Sequence, residues 1–117
     1  MNVHDKLFIG GEWVAPEGKG VIEVISPHSE EVIGTVPDAS TADIDKAIAA
    51  ARNAFDNGPW PKMSPEERGE GIKRLSAALS SRAQDIADLI SAQNGSPKSW
   101  SIMGQVFSAT MVLDTYA

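Results

Sequence analysis

In EVIGTVPDASTADIDKAIAAARNAF, residues 31–55, the apolar period changes from two to 3.6, and that change decides the fold class. EVIGTV before Pro37 reads as a strand. After it, Ser40 with Asp43 three residues on has the form of a capping box. Ile44, Ala47, Ile48, Ala51 and Phe55 then fall on one helical stripe, and Asn57 with Gly58 ends it.

Working outward toward the N-terminus, LFIG and EWV flank Gly10 and Gly11, a pair suited to the φ > 0 positions of a tight hairpin turn. VIEVIS runs into Pro27, which cannot donate to a ladder and starts a turn through His28 and Ser29. The strand texture from Lys6 to Val36 predicts a small antiparallel ribbon, and residues 1–37 form this β region.

Toward the C-terminus, SPEE places Ser64 at an N-cap, Pro65 at the first helical position and Glu67 at N3. Ile72, Leu75, Leu79, Ala83, Ile86 and Ile90 follow before NGSP stops the pattern. One helix from Pro65 to Gln93 would be about 43 Å long, so a break near Ser81 is expected, with Ser81 and Gln84 as a second capping box. A last helix starts near Ser99 with the stripe Ile102, Val106, Ala109, Leu113 and Tyr116, and no cap follows it. Residues 38–117 are thus a helical region of about four helices, and the fold class is α+β.

Composition limits what such a chain can do. Its 117 residues suit one small domain, and 42% hydrophobic with 22% charged residues is ordinary globular usage. A net charge of −6, with ten Lys and Arg scattered among acids, argues against nucleic acid as a partner. No apolar run has the length of a bilayer span and MNVHDKLFIGG lacks the core of a signal peptide, so no membrane is expected and the expected location is the cytoplasm. The absence of cysteine removes disulfides, thiolate ligands and a cysteine nucleophile from these residues.

Candidate chemistry is sparse. The glycines of GGEWVAPEGKG lie between strands and lack the dinucleotide spacing; RGEGIKR lacks the spacing and the hydroxyl of a phosphate loop. His4 falls in an expected frayed terminus and His28 in a turn, with no second ligand at helical spacing. Glu66 and Glu67 suit a helix N-terminus, while Glu30 and Glu31 are neighbours that point apart. Trp13, Trp60 and Trp100 read as packing anchors. By themselves these residues hold no catalytic constellation.

The succession LFIGGEWV, EVISPHSEEVIGTVP, DIDKAIAAARNAFDNGPW, SPEERGEGIKRL and NGSP, followed by an amphipathic helix, resembles the N-terminal part of the NAD(P)-dependent aldehyde dehydrogenase superfamily. Phe55, Gly58, Trp60, Arg68 and Leu75 stand in place, and the order of the pieces is more specific than any one of them. The resemblance implies a place in the Rossmann-like cofactor domain of a several-fold longer, homo-oligomeric enzyme. The remainder of that enzyme would be this chain's partner, an aldehyde its substrate and NAD or NADP its cofactor. A cysteine thiolate would form a thiohemiacetal, hydride would pass to the nicotinamide, and water activated by a glutamate would release the acid. The cysteine, the glutamate and the cofactor loop would all lie outside these residues, so the fragment alone is expected to be inert and to bind no cofactor. The alternatives are a stand-alone interaction module and a structural assembly derived from this region.

Two sites map onto the chain through the same resemblance. Some members hold a monovalent cation at positions matching the carbonyls of Val24 and Ile25 and the side chain of Gln93, where the neutral amide departs from an acidic pattern; a plain hydrogen-bonding Gln is the other reading. The final helix has a counterpart lining the aldehyde access channel. Gly104, Ser108, Met111 and Thr115 share one arc of it, and small residues at Gly104 and Ser108 predict a recessed wall that admits bulky aldehydes. The competing account is a solvated or helix-contacting face.

Overall fold

A computed structural model describes residues 2–117. The chain divides into two compact units: the first runs up to Ile25 and includes Glu30–Lys62, and the second joins Ser26–Ser29 to Met63–Ala117.

In the first unit, β2 (Leu7–Ile9) and β3 (Glu12–Val14) pair antiparallel across Gly10 and Gly11, as the sequence predicts. Both glycines have positive φ, 64° and 90°, which is what a two-residue turn matching the strand twist demands. Phe8 and Trp13 face each other across this hairpin with ring centroids 5.1 Å apart.

The second sheet has the order β1-β5-β4, with β4 (Gly20–Ile25) antiparallel to β5 (Val32–Asp38). Strand β1 (Asn2–Val3) joins β5 in parallel, and His4 N–H continues the ladder to Thr35 O at 3.0 Å. His4 is therefore held, not frayed as expected. Strand β5 also runs through Pro37, where the sequence reading ended it. A proline there leaves no broken ladder, because β1 pairs only as far as Thr35 and that edge of β5 is open beyond it.

Helix α1 (Thr41–Asn57) begins with the predicted box: Ser40 Oγ accepts from Asp43 N, and Asp43 Oδ2 accepts from Ser40 N. Its apolar stripe stays largely open among the described residues of this unit, with Ile44, Ile48 and Phe55 all more than half exposed. Asp43 is the helix's one buried residue, at 2% exposure. A 3₁₀ turn, Trp60–Lys62, closes this unit.

In the second unit, α2 (Pro65–Ser81) starts with the expected Ser64–Glu67 box, and α3 (Ala83–Asn94) follows after a break at Arg82. The break was foreseen but its cause was not. No side chain caps α3, and Ser81 Oγ turns back to donate to Ala78 O at 2.8 Å. After α3, Gly95 adopts a left-handed cap, and then come α4 (Lys98–Trp100), a π segment (Ser101–Val106) and α5 (Phe107–Tyr116).

The π segment explains a shift in the buried face. The apolar pattern predicts burial at Ile102, Val106, Ala109, Leu113 and Tyr116, yet Ser101, Val106 and Thr110 are the buried residues, while Ala109 and Tyr116 are exposed. Ser101 and Val106 stand five residues apart, the spacing of one i→i+5 turn. The helices meet through small groups. Ser101 Oγ lies 2.9 Å from Ser91 Oγ of α3, and Ser76 Oγ of α2 donates to Thr110 O of α5 at 3.5 Å. On α2, Gly69 is buried because a Cβ there would lie 2.4 Å from Ala117 O. Leu75, placed on the core stripe by its spacing, is 51% exposed.

Candidate functional site

The terminal helix carries the densest set of unusual features. Pro97 precedes it, and Ser101 N–H reaches back to Pro97 O at 2.9 Å to close the first turn. Within the π segment Phe107 N–H bonds Ile102 O, five residues back. Returning from i→i+5 to i→i+4 closure leaves one carbonyl at the junction without a backbone donor. Ser108 Oγ donates back to its own helix, lying 2.7 Å from Gly104 O and 3.1 Å from Gln105 O, the i−4 and i−3 carbonyls within reach of a helical serine. Gln105 Nε2 donates to Ser96 Oγ at 2.9 Å and ties the wide turn to the preceding loop.

Gly104 and Ser108 are thus brought together on consecutive turns, as their spacing predicts. The face of Gly104 is not empty, however. A Cβ at Gly104 would lie 2.6 Å from Cε2 of Trp100 and 2.7 Å from its Cδ2 and Cζ2. The expected recess is filled by the Trp100 indole, and Ser108 turns its hydroxyl to its own helix. Nor is Trp100 a buried packing anchor: it is 60% exposed, and Trp13 and Trp60 are also exposed.

The cation positions lie in different units. Val24 and Ile25 end β4, paired with Gly34 and Val32, and a register shift between them interrupts the ladder. Gln93 is exposed in the last turn of α3.

A cleft of the second unit is lined by Ser26, His28, Asp88, Ser91, Ser96 and Lys98, among others. Several of its polar groups have partners nearby. Ser26 Oγ accepts from His28 N and Ser29 N, as the turn after Pro27 predicts. Lys98 Nζ stands 3.1 Å from Asp88 Oδ1, and this neighbouring ammonium, with Gln84 as a second donor, holds the Asp88 carboxyl below its ordinary range. Among the described residues no three His, Cys, Asp or Glu side chains cluster as metal ligands, and no helix is long and apolar enough to cross a membrane.

Asp43 is the residue whose wider role the sequence reading missed. Beyond its helix cap, Oδ1 accepts from Glu17 N at 2.9 Å, and Oδ2 accepts from Gly18 N at 3.3 Å and Ser40 Oγ at 2.7 Å. These donors, Glu17 N–H foremost, hold its carboxyl far below the ordinary 3.8. The β3–β4 connection is thereby pinned to the first turn of α1.

The family model described as the aldehyde dehydrogenase family matches residues 13–117. The chain belongs to the aldehyde dehydrogenase family. It is 34% identical over 94 residues to geranial dehydrogenase of Castellaniella defragrans, covering 80% of this chain and 20% of that protein. It is 41% identical over 92 residues to aldehyde dehydrogenase 1 of Tanacetum cinerariifolium, covering 79% and 18%. Among solved structures, an NAD-dependent aldehyde dehydrogenase from Sinorhizobium meliloti superposes with a TM-score of 0.89 at 33% identity, over 97% of this chain and 22% of that one. The Mycobacterium tuberculosis aldehyde dehydrogenase complexed with NAD+ gives 0.84 at 40% identity, over 97% and 25%. The chain therefore spans about a fifth of the length of the aldehyde dehydrogenases it matches.

Proposed function

We propose that this chain is the front part of an NAD(P)-dependent, homo-oligomeric aldehyde dehydrogenase that oxidises an aldehyde to a carboxylic acid. The match to the family over residues 13–117 carries this reading. We read this chain as holding no cofactor of its own, and two of its helix ends support that reading. Ser40 and Asp43 engage groups at the start of α1, and Ser64 and Glu67 do so at the start of α2, so two helix ends that could have met a pyrophosphate are capped by their own side chains. With no cysteine in the chain, the thiohemiacetal nucleophile must come from elsewhere in the enzyme. The chain's own contribution is a scaffold and, through the terminal helix, a wall of the aldehyde's path.

Mixed with NAD and a panel of aldehydes, the isolated chain is expected to leave nicotinamide absorbance at the level of a no-protein control. Turnover above that control would place catalytic groups in these residues and overturn the reading.

The cation reading at Val24, Ile25 and Gln93 rests on the resemblance alone. Gln93→Glu adds the missing charge, so melting of the complete enzyme in sodium or potassium should rise relative to a bulky organic cation by more than in the parent protein. Identical melting in all salts at fixed ionic strength would leave Gln93 as an ordinary surface amide.

A further inference from the structure

We propose that Asn94, in the pair Asn94–Gly95, is a site of spontaneous deamidation, and that Asn57, in the pair Asn57–Gly58, is protected from the same reaction by its side-chain bond. Asn-Gly is the dipeptide in which deamidation is fastest, because a glycine nitrogen has no side chain beside it to hinder approach to the preceding amide. Both pairs end a helix, Asn57 as the last residue of α1 and Asn94 as the last of α3. In both, the glycine N–H is engaged at 3.0 Å, Gly58 with Ala54 O and Gly95 with Ser91 O.

What separates them is the direction of the asparagine side chain. Asn94 Oδ1 accepts from Ser96 N at 2.9 Å, two residues on. The amide is folded forward, which brings its Cγ toward the Gly95 nitrogen, and the Ser96 N–H meets the oxygen on which negative charge develops during attack. Asn57 does the reverse. Its Nδ2 donates to Asn53 Oδ1 at 2.7 Å, four residues back. That bond swings the amide away from Gly58 and holds the nitrogen that would have to leave.

The chemistry needs nothing beyond these residues and water. The Gly95 nitrogen bonds to Asn94 Cγ and gives up its proton; the Cγ–Nδ2 bond breaks, and Nδ2 leaves with that proton as ammonia. The product is a cyclic imide. Water then opens the ring at one carbonyl or the other, giving an aspartate or, with the main chain rerouted through Cγ, an isoaspartate. Attack requires the Gly95–Ser91 bond to open, which the fraying of a terminal helical turn provides. Nucleophile, electrophile and donor lie within three consecutive residues, so the first step does not depend on what covers the surrounding surface.

Either product puts a carboxylate at the C-terminal end of α3, where the helix dipole opposes negative charge. Isoaspartate also lengthens the backbone at the turn where Gly95 holds its left-handed cap, φ 75°. The α3 cap therefore weakens as the protein ages.

The experiment holds the complete enzyme at mildly alkaline pH and follows both Asn-Gly peptides by mass mapping that separates aspartate from isoaspartate, with the same protein unfolded in denaturant as reference. Unfolded, the two identical dipeptides should convert at similar rates. Folded, Asn94 is expected to convert about tenfold faster than Asn57, within what one donor to a developing oxyanion contributes in a built site. Asn53→Ala removes the backward bond on an exposed helical face, so it should speed Asn57 and leave Asn94 unchanged. A melting curve checks that this variant is folded, and the ratio in the parent protein decides without it. Imide that persists at Asn94 supports the first step as well as its hydrolysis products do. Equal folded rates, or faster conversion at Asn57, would overturn the proposal. An Asn57 rate that ignores Asn53→Ala in the folded variant would overturn it too, since side-chain direction would then not be what protects that residue.

Discussion

Asp43→Ala is expected to lower the melting temperature by roughly 10 °C, a larger loss than any surface substitution in this chain should give. The carboxylate accepts four contacts: Glu17 N, Gly18 N, Ser40 N and Ser40 Oγ. Alanine removes every acceptor at once and leaves backbone N–H groups in a site that water scarcely reaches, with Asp43 only 2% exposed. Asp43→Asn keeps the shape but should not rescue. Its oxygen can serve one side of the site, while its NH₂ must face the donors on the other, and two donors cannot share a hydrogen bond. Hydrogen exchange gives the local readout: the amides of Glu17, Gly18 and Ser40 should exchange much faster in both variants. Unchanged exchange at those three amides would contradict the assignment.

The same site fixes a sign for pH. A carboxyl held below its ordinary 3.8 contributes stability that is fully present above that value and is lost as pH falls toward the lower folded-state value. Acid unfolding should therefore begin below about pH 4, and in Asp43→Asn this part of the acid dependence should vanish. The lysine beside Glu17 acts at the other end of the pH range: the Glu17 carboxylate holds the Lys46 ammonium above its ordinary range, so what it contributes is lost only as pH rises through that range. Lys46 pairs with Glu17 while Glu17 N–H binds Asp43, so the connection is held from both its backbone and its side chain. The exposed pair is the weaker of the two restraints.

What the sequence disclosed and what it hid divide along the range of the interaction. The Gly10–Gly11 turn and both capping boxes were legible, because each is decided within four residues by backbone sterics or a side chain's reach. The contacts of Asp43 with Glu17 and Gly18 span 26 and 25 residues, and no periodicity records them. The parallel pairing of β1 with β5 was hidden for the same reason: two residues are too short to show an alternation. Patterning did find the apolar stripe of α1, yet a stripe says only that a face is apolar. It does not say that this chain covers it, and here Ile44, Ile48 and Phe55 stay exposed in a chain about a fifth as long as its relatives.

The terminal helix was half legible. Gly104 and Ser108 were placed on one side of one helix correctly, but a constant 100° per residue cannot anticipate a π turn. Nor does it show that the side chain four residues before a glycine will lie over it. Trp100 followed by Gly104 is a signal that could have been read, since a large ring and a missing side chain at i, i+4 are neighbours on a helix.

Ser101→Leu carries the second large expected effect, and it tests the π turn itself. Ser101 is fully buried at 0% exposure, where the π segment meets α3, with Ser91 Oγ at 2.9 Å. Leucine adds three carbon atoms with nowhere to go and strands the Ser91 hydroxyl. Overpacking costs about 1–3 kcal/mol, and the lost hydrogen bond adds about 1 kcal/mol. The apolar transfer gain of leucine does not offset this, because it requires a cavity that fits the side chain, and Ala87 on α3 is itself 1% exposed. Ser101→Ala separates the two costs, since it removes only the hydroxyl and should lose about 1 kcal/mol. The steep step from alanine to leucine is the signature of a close helix approach. If leucine were tolerated as well as alanine, the π segment would have to be free to tighten into an ordinary α-turn, bringing Ile102 to the buried face in place of Ser101, and the five-residue spacing to Val106 would not be a fixed feature of the fold. Amide exchange at Phe107, whose N–H bonds Ile102 O, reads that alternative directly.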